Sequence, residues 1–270
     1  MTNQNDGLSK SARRDAARER ALKIQREQER REQRSRMIIL LGVIAGVVVV
    51  ALLAFFILRQ EKQPIDPTVT SFPSDVEVPA SSDASGGFTF FAGKTTSTTP
   101  TDVPVLDLYL DFMCSHCADF EALNSEWLVE KANTGEFAYH IHPIAILGSQ
   151  HSVTIGSAFV ALLDSNPEAA MKFAQTAFAQ QNASGMSQTA MKEAMKAAGA
   201  TDEQISEAVS GKYERFMQAA SNITLNNEKL RDADGNFGTP ALFLNGERWD
   251  INWTDVEGFK AGLDEAIAAG

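Results

Sequence analysis

Val103-Pro-Val-Leu-Asp-Leu-Tyr-Leu-Asp-Phe-Met-Cys-Ser-His-Cys117 runs from a short apolar segment, rich in β-branched and aromatic residues, directly into the two cysteines of the chain. Apolar content over so short a length predicts a buried strand over 103–110. After Cys114, the residues Phe120, Leu123, Trp127 and Leu128 recur at helical spacing, which predicts a helix from Ser115 to about Ala132 with both cysteines in or beside its first turn. Phe137-Ala-Tyr-His-Ile-His-Pro143 reads as a second strand. Its alternation sets Phe137, Tyr139 and Ile141 on one face and His140 and His142 on the other. The unit is β-α-β.

On the amino-terminal side, Gly87-Phe-Thr-Phe-Phe91 predicts a small first strand. On the carboxy-terminal side, residues 151–228 are rich in Ala, Met and Leu, with breaks at Asn166-Pro167, Ser184-Gly185, Gly199 and Gly211. Four or five successive helices are expected there, one opened by a capping box at Thr201-x-x-Gln204. Gly238-Thr-Pro-Ala-Leu-Phe-Leu-Asn-Gly-Glu-Arg-Trp249 reads as two strands turning at Asn245-Gly246. Thr254-x-x-Glu257 is then expected to cap a last helix running to about Ala268.

Further upstream, Met37 to Leu58 is a 22-residue run without charge or proline, long enough as a helix to cross roughly 30 Å of hydrocarbon. It predicts a single transmembrane helix in a lipid bilayer. The 20 residues before it hold 8 Lys and Arg and the 20 after it hold 2, which places the amino terminus in the cytoplasm and the rest outside. The run exceeds a signal-peptide core, and Phe56-Ile57-Leu58-Arg59 offers no small-residue cleavage site. Gly42 and Gly46 form one small-xxx-small pair that could serve as a dimer face, although glycine is common in such helices. Residues 1–36 then form a basic cytoplasmic tail, and 59–85, with Pro64, Pro67, Pro73 and Pro79, an extended extracytoplasmic linker.

Charge divides in the same way. Residues 1–36 carry 11 Lys and Arg against 6 Asp and Glu, whereas 59–270 carry 13 against 29, within a formal net charge of −11. So acidic an outer part repels phosphate backbones, which argues against nucleic acid as a partner. Two cysteines cannot staple distant parts of the chain together, so whatever they do is local.

Cys114-x-x-Cys117 at the start of a helix can make and break a disulfide. The unsatisfied amide donors and positive dipole end there favour a thiolate at Cys114, and His116 could add a hydrogen bond or charge. Stabilising that thiolate favours the reduced form and makes the disulfide more oxidising. A zinc site is the weaker alternative, because His116 is badly placed and His140 and His142 lie a strand away. An inert disulfide closing so short a loop would stabilise little.

In these residues the chain resembles the DsbA-like branch of the thioredoxin fold, which oxidises protein thiols outside the cytoplasm. The resemblance rests on Asp111-Phe-Met-Cys-Ser-His-Cys117 after a buried strand, the long helical stretch, and Phe237-Gly-Thr-Pro-Ala-Leu-Phe-Leu-Asn-Gly246. It covers about Gly86 to the carboxy terminus. It implies an α/β, thioredoxin-like domain over 86–270 with a helical insertion over about 151–228, and a cis peptide between Thr239 and Pro240. In that arrangement the Thr239 backbone would face the sulfurs and pair with an extended substrate, while Pro240 would crowd out a metal. Cys114 would be the attacking and attacked sulfur and Cys117 the resolving thiol, with His116 matching the histidine of strongly oxidising members. No cofactor beyond the cysteine pair, and no metal, is implied.

Two positions depart from the family pattern. Ser115 replaces a common proline, and Leu108 stands where a buried acid is usual, so the Cys117 proton would go to Asp107, Asp111, water or another group. His140, His142 and His151 fall on no motif position and read as strand or helix-cap residues. Met171, Met186, Met191, Met195 and Met217 could line a substrate groove, but helix packing explains them as well.

The function implied is donation of the Cys114–Cys117 disulfide to reduced, unfolded secreted or membrane proteins. A quinone-linked membrane reoxidase of the DsbB or vitamin-K-epoxide-reductase type would recycle it. The alternatives are a reductase or isomerase kept reduced by a membrane electron donor, and a non-enzymatic membrane-tethered holdase.

Overall fold

The computed structural model describes residues 65–269 together with Met37, Gly42 and Gly46. Those three are helical and exposed. The remainder of the expected transmembrane run, and the cytoplasmic tail before it, lie outside the described residues, among which no helix is long and apolar enough to cross a membrane.

Six strands form one sheet: β1 (Phe88–Phe91), β2 (Lys94–Thr96), β3 (Val105–Leu110), β4 (Ala138–Pro143), β5 (Ala241–Leu244) and β6 (Glu247–Arg248). Their order is β2-β1-β4-β3-β5-β6, with β3 and β4 parallel and the other pairs antiparallel. Helix α1 (Ser115–Thr134) is the crossover between the parallel strands, as expected of a β-α-β unit. Every residue of β4 is buried, which accounts for its apolar and aromatic content: the strand is covered on both faces.

The alternation expected for β4 holds. Leu106, Leu108 and Leu110 of β3 and Tyr139 and Ile141 of β4 enter the main core with Phe88, Phe90, Phe120 and Cys117. On the opposite face, Tyr109 packs in a smaller cluster with Ile144, Leu230, Ala241 and Phe243. Nine phenylalanines are among the largest fully buried side chains, each contributing about 2–3 kcal/mol by leaving water.

Between β4 and β5 come α2 (Gln150–Ser165), α3 (Pro167–Ala179), α4 (Gln188–Ala197), α5 (Asp202–Ala208) and α6 (Glu214–Leu225), five helices in the place expected for the insertion. Thr201 and Gln204 close the expected capping box, Gln204 N donating to Thr201 Oγ1 and Thr201 N donating to Gln204 Oε1. All five methionines considered for a substrate groove are buried within this helical layer, Met195 and Met217 completely, so packing is their role.

At the β5–β6 turn, Asn245 and Gly246 have φ of 53° and 80°, the two left-handed residues that a tight hairpin requires. The last helix, α7 (Val256–Ala269), opens one residue later than its motif suggested. Asp255 Oδ1 accepts from Gly258 N at 3.2 Å, while the Thr254 hydroxyl donates to Asn252.

Residues 65–85 differ from the extended linker that their prolines suggest. Nδ2 of Asn222 donates to the Asp66 carbonyl, and Nδ2 of Asn226 to those of Pro67 and Val69. Phe72 stacks on Phe216 at 5.0 Å between ring centroids, Val76 is buried, and Ser81 bonds Asp164 through both its amide and its hydroxyl. Asp75 pairs with Arg215 and Glu77 with Lys212. Proline marked this stretch as lacking regular structure, but its apolar anchors make it a docked strap that belongs to the compact unit.

Candidate functional site

The amino end of α1 is where the described structure places the expected site residues. Cys114 is the N-cap, with extended backbone and no side-chain capping bond, and the first turn of α1 contains no acid. Its amide donates to the Asp111 carbonyl at 3.0 Å, and its own carbonyl, with that of Phe112, accepts from Gln181 Nε2 at 3.1 and 2.8 Å. Gln181, just past the end of α3, fixes this turn from the helical layer. Phe112 is seated by stacking on Phe178.

Both cysteines are free thiols. Cys114 keeps 8% of its surface accessible and Cys117 1%. The Thr239–Pro240 bond is cis, as the resemblance implies, and the Cys114 thiol donates to the Thr239 carbonyl at 3.2 Å.

The two sulfurs differ in acidity for physical reasons. A hydrogen bond from the Cys117 thiol, opposed by burial and aided by Thr239 and the backbone amides of Cys117 and His116, lowers the Cys114 thiol to about 5. Thr239 Oγ1 is buried and lacks a partner while Cys114 is protonated, so a thiolate there gives it one. Burial, reinforced by the negative Cys114 sulfur, drives the Cys117 thiol far above its ordinary value. Cys114 is thus the sulfur that carries charge.

His116 sits at the site in a different sense from the expected one. Its imidazole is exposed, with Nδ1 3.9 Å from the Asp119 carboxylate, and its contribution to the Cys114 thiolate comes from the backbone amide.

Neither aspartate named as a proton acceptor is free for that work. Asp107 lies on the sheet face away from the cysteines, against His140 and His142. Asp111 is completely buried, its carboxylate accepting from Met113 N, Ser152 Oγ, Ile146 N and Leu147 N at 2.6–3.1 Å, so it braces the turn.

Glu121, which the sequence reading did not single out, is a further buried acid on the helix that carries the cysteines. It is buried one helical turn beyond Cys117 on the inward face of α1. Burial raises its carboxyl to about 7, only partly offset by Ser125. It lines a cleft of about 210 Å³ with Ala118, Ser125, Gln175 and Phe178, which links it to solvent. The unpartnered hydroxyl of Tyr139 senses the charges of both Glu121 and Cys117.

The family model described as Thioredoxin matches residues 100–265. No curated protein matches the chain. The MdbA protein of Actinomyces oris, a thiol-disulfide oxidoreductase, is similar in structure at 24% identity with a TM-score of 0.50, over 63% of this chain and 79% of its own. Reduced DsbA from Mycobacterium tuberculosis is similar at 20% identity and a TM-score of 0.50, over 68% of this chain and 98% of its own. For MdbA of Corynebacterium diphtheriae the values are 17%, 0.52, 72% and 96%. At such identities the likeness is one of fold.

Proposed function

The chain belongs to the thioredoxin family, and from that premise we propose that it is a protein thiol:disulfide oxidoreductase that donates the Cys114–Cys117 disulfide to reduced proteins outside the cytoplasm. The supporting observation is the asymmetry of the pair: Cys114 is partly accessible and stabilised as a thiolate, while Cys117 is buried and held protonated.

A substrate thiolate attacks Cys114 Sγ, the Cys114–Cys117 bond breaks, and the Cys117 sulfur leaves and takes up a proton. A second substrate thiolate then attacks the substrate sulfur of the mixed disulfide and expels the Cys114 thiolate. The substrate loses two electrons and the cysteine pair gains them. The last step is favoured by the low proton affinity of Cys114. Glu121 gives a proton to Cys117 as it leaves, and takes one back when the pair is reoxidised. The carbonyl of Thr239, now bonded to Cys114, offers an extended substrate its strand-like contact, and His116 flanks the entry. The run 37–58 serves as membrane anchor with the amino terminus in the cytoplasm, and a quinone-linked reoxidase of the DsbB or vitamin-K-epoxide-reductase type restores the disulfide.

Equilibrating the full chain in glutathione buffers tests this reading. A reduction potential on the oxidising side, toward about −120 mV, together with a Cys114 thiolate absorbance that titrates near pH 5, is expected. A potential near about −270 mV with an unshifted thiol would point to the reductase or isomerase. Undiminished activity of Cys114→Ser would point to the holdase.

A further inference from the structure

A second polar cluster lies on the sheet face opposite the cysteines and takes no part in the exchange chemistry. Parallel pairing sets Asp107 beside His140, and His142 emerges from the same face two residues on. Asp107 Oδ1 is 2.8 Å from His140 Nδ1 and 3.2 Å from His142 Nε2, and one ligand atom from each of the three residues lies within 4.8 Å of the others. Both imidazoles are buried. Behind them, Asp83 Oδ2 stands 3.2 Å from His140 Nε2, the ring nitrogen that faces away from Asp107. Asp83 Oδ1 in turn accepts from Ser85 N, Ser85 Oγ and Gly87 N at 2.7–2.8 Å. Gly87 crosses the rings so closely that a Cβ there would come within 2.2 Å of His140 Nε2 and 2.6 Å of His142 Cε1. The His142 ring is fixed by stacking on Tyr109 at 4.0 Å, and its Nδ1 is buried without a partner.

We propose that Asp107, His140 and His142 form a binding site for a zinc-class divalent cation, with Asp83 holding His140 in its ligating orientation. Two imidazole nitrogens and one carboxylate oxygen are a donor set for a borderline ion such as Zn²⁺ and a poor one for Ca²⁺ or Mg²⁺. Bonds of about 2.0–2.2 Å at tetrahedral angles put ligand atoms about 3.3 Å apart, close to the separations from Asp107 Oδ1 already present. A carboxylate on the far nitrogen of a ligating imidazole is the usual supporting contact of such centres, and Asp83 stands at ion-pair distance from that nitrogen, which makes no hydrogen bond before the ion binds. Binding displaces the proton between Asp107 Oδ1 and His140 Nδ1 and moves the one between Asp107 Oδ1 and His142 Nε2 to the unpartnered His142 Nδ1, while the His140 Nε2 proton stays on the side of Asp83. The two charges of the ion then face the two carboxylates. Through the Asp83 turn the ion clips residues 83–87 to the β3–β4 pair.

The test uses the full chain carrying Cys114→Ser and Cys117→Ser, so that sulfur cannot hold the ion, stripped with chelator and titrated with Zn²⁺ and Co²⁺. One equivalent of each is expected, with a visible Co²⁺ spectrum, and no binding of Ca²⁺ or Mg²⁺. Asp107→Asn and His142→Gln should each weaken Zn²⁺ binding at least about 100-fold, and Asp83→Asn about tenfold, with circular dichroism confirming that each variant is folded. Should a variant fail to fold, the parent protein suffices: Zn²⁺ must shift the ring-nitrogen resonances of His140 and His142. The proposal is overturned if Zn²⁺ is not retained against a micromolar chelator, if binding is unchanged in the folded variants, or if those resonances do not move.

Discussion

Helices α2, α3, α4 and α5 begin on Ser149, Asn166, Ser187 and Thr201, each of which accepts a hydrogen bond from its own helix at the side-chain oxygen. Helix α1 begins on Cys114 without any side-chain cap. Every helix starts with amides that lack an intrahelical partner. At these four starts a hydroxyl or amide oxygen holds one of them permanently, and α6 starts on Tyr213 with no side-chain cap, whereas at α1 the amides of His116 and Cys117 are left to a sulfur whose charge comes and goes with its redox state. One device used for stability in four places serves reactivity in the fifth.

The hardest way to break this contrast is to make α1 like the others. Cys114→Ser is expected to abolish disulfide transfer to a reduced model substrate while stabilising the fold by about 0.5–1 kcal/mol in urea titrations at pH 4, where the Cys114 thiol of the reduced parent is protonated and serine is the better N-cap. A variant less stable than the reduced parent at that pH would show that these amides do not seek an acceptor.

Glu121→Gln probes the inward end of the same helix. It should slow interconversion of the mixed disulfide and the reduced protein on the order of 100-fold in rapid-quench measurements, and remove the pH dependence near 7 from that step. Unchanged rates would return proton transfer to water.

Next in size is the effect of pH. The Cys114 thiol falls from 9.0 to about 5 on folding, so its stabilising contribution is complete above pH 9 and is lost as the pH drops through 5. The disulfide form lacks the group. Reduced protein should therefore gain stability over oxidised protein between pH 5 and 9, with the difference flat below 5 and turning down above 9, where the buried Cys117 thiol ionises only in the unfolded chain; the raised carboxyl of Glu121 is common to both forms and largely cancels. Urea midpoints of the two forms across pH 4–10 give the comparison. Parallel curves would mean that the thiolate is not stabilised.

The smallest effect is at the control helix. Thr201→Ala removes an ordinary cap and should cost about 1 kcal/mol of stability without moving the reduction potential. A shifted potential would mean that the two kinds of helix start are coupled.

Much of this was legible beforehand because period and turn chemistry are local signals. The β3-α1-β4 unit, the alternation of Tyr139 and His140, the Asn245-Gly246 turn and the Thr201 capping box all follow from residues within a few positions of one another. The strap over 65–85 did not, since its partners Asn222, Asn226 and Phe216 are about 150 residues away in sequence. Glu121 escaped notice because an acid on a helix ordinarily marks the wet side. The signal was its position one turn after Cys117, on the stripe continued by Asn124, Ser125 and Leu128, all buried. The Asp107, His140 and His142 cluster was half visible: alternation grouped the histidines, but only strand register brought the aspartate to them.

The strap also sets where this domain can safely be cut. A protein trimmed to start at Gly86 would strip the Phe72 ring from Phe216, leave Asn222 and Asn226 facing water, and remove the Asp83 carboxylate from behind His140. The newly bared aromatic patch would invite self-association, so a soluble version should keep everything from Pro64 onward.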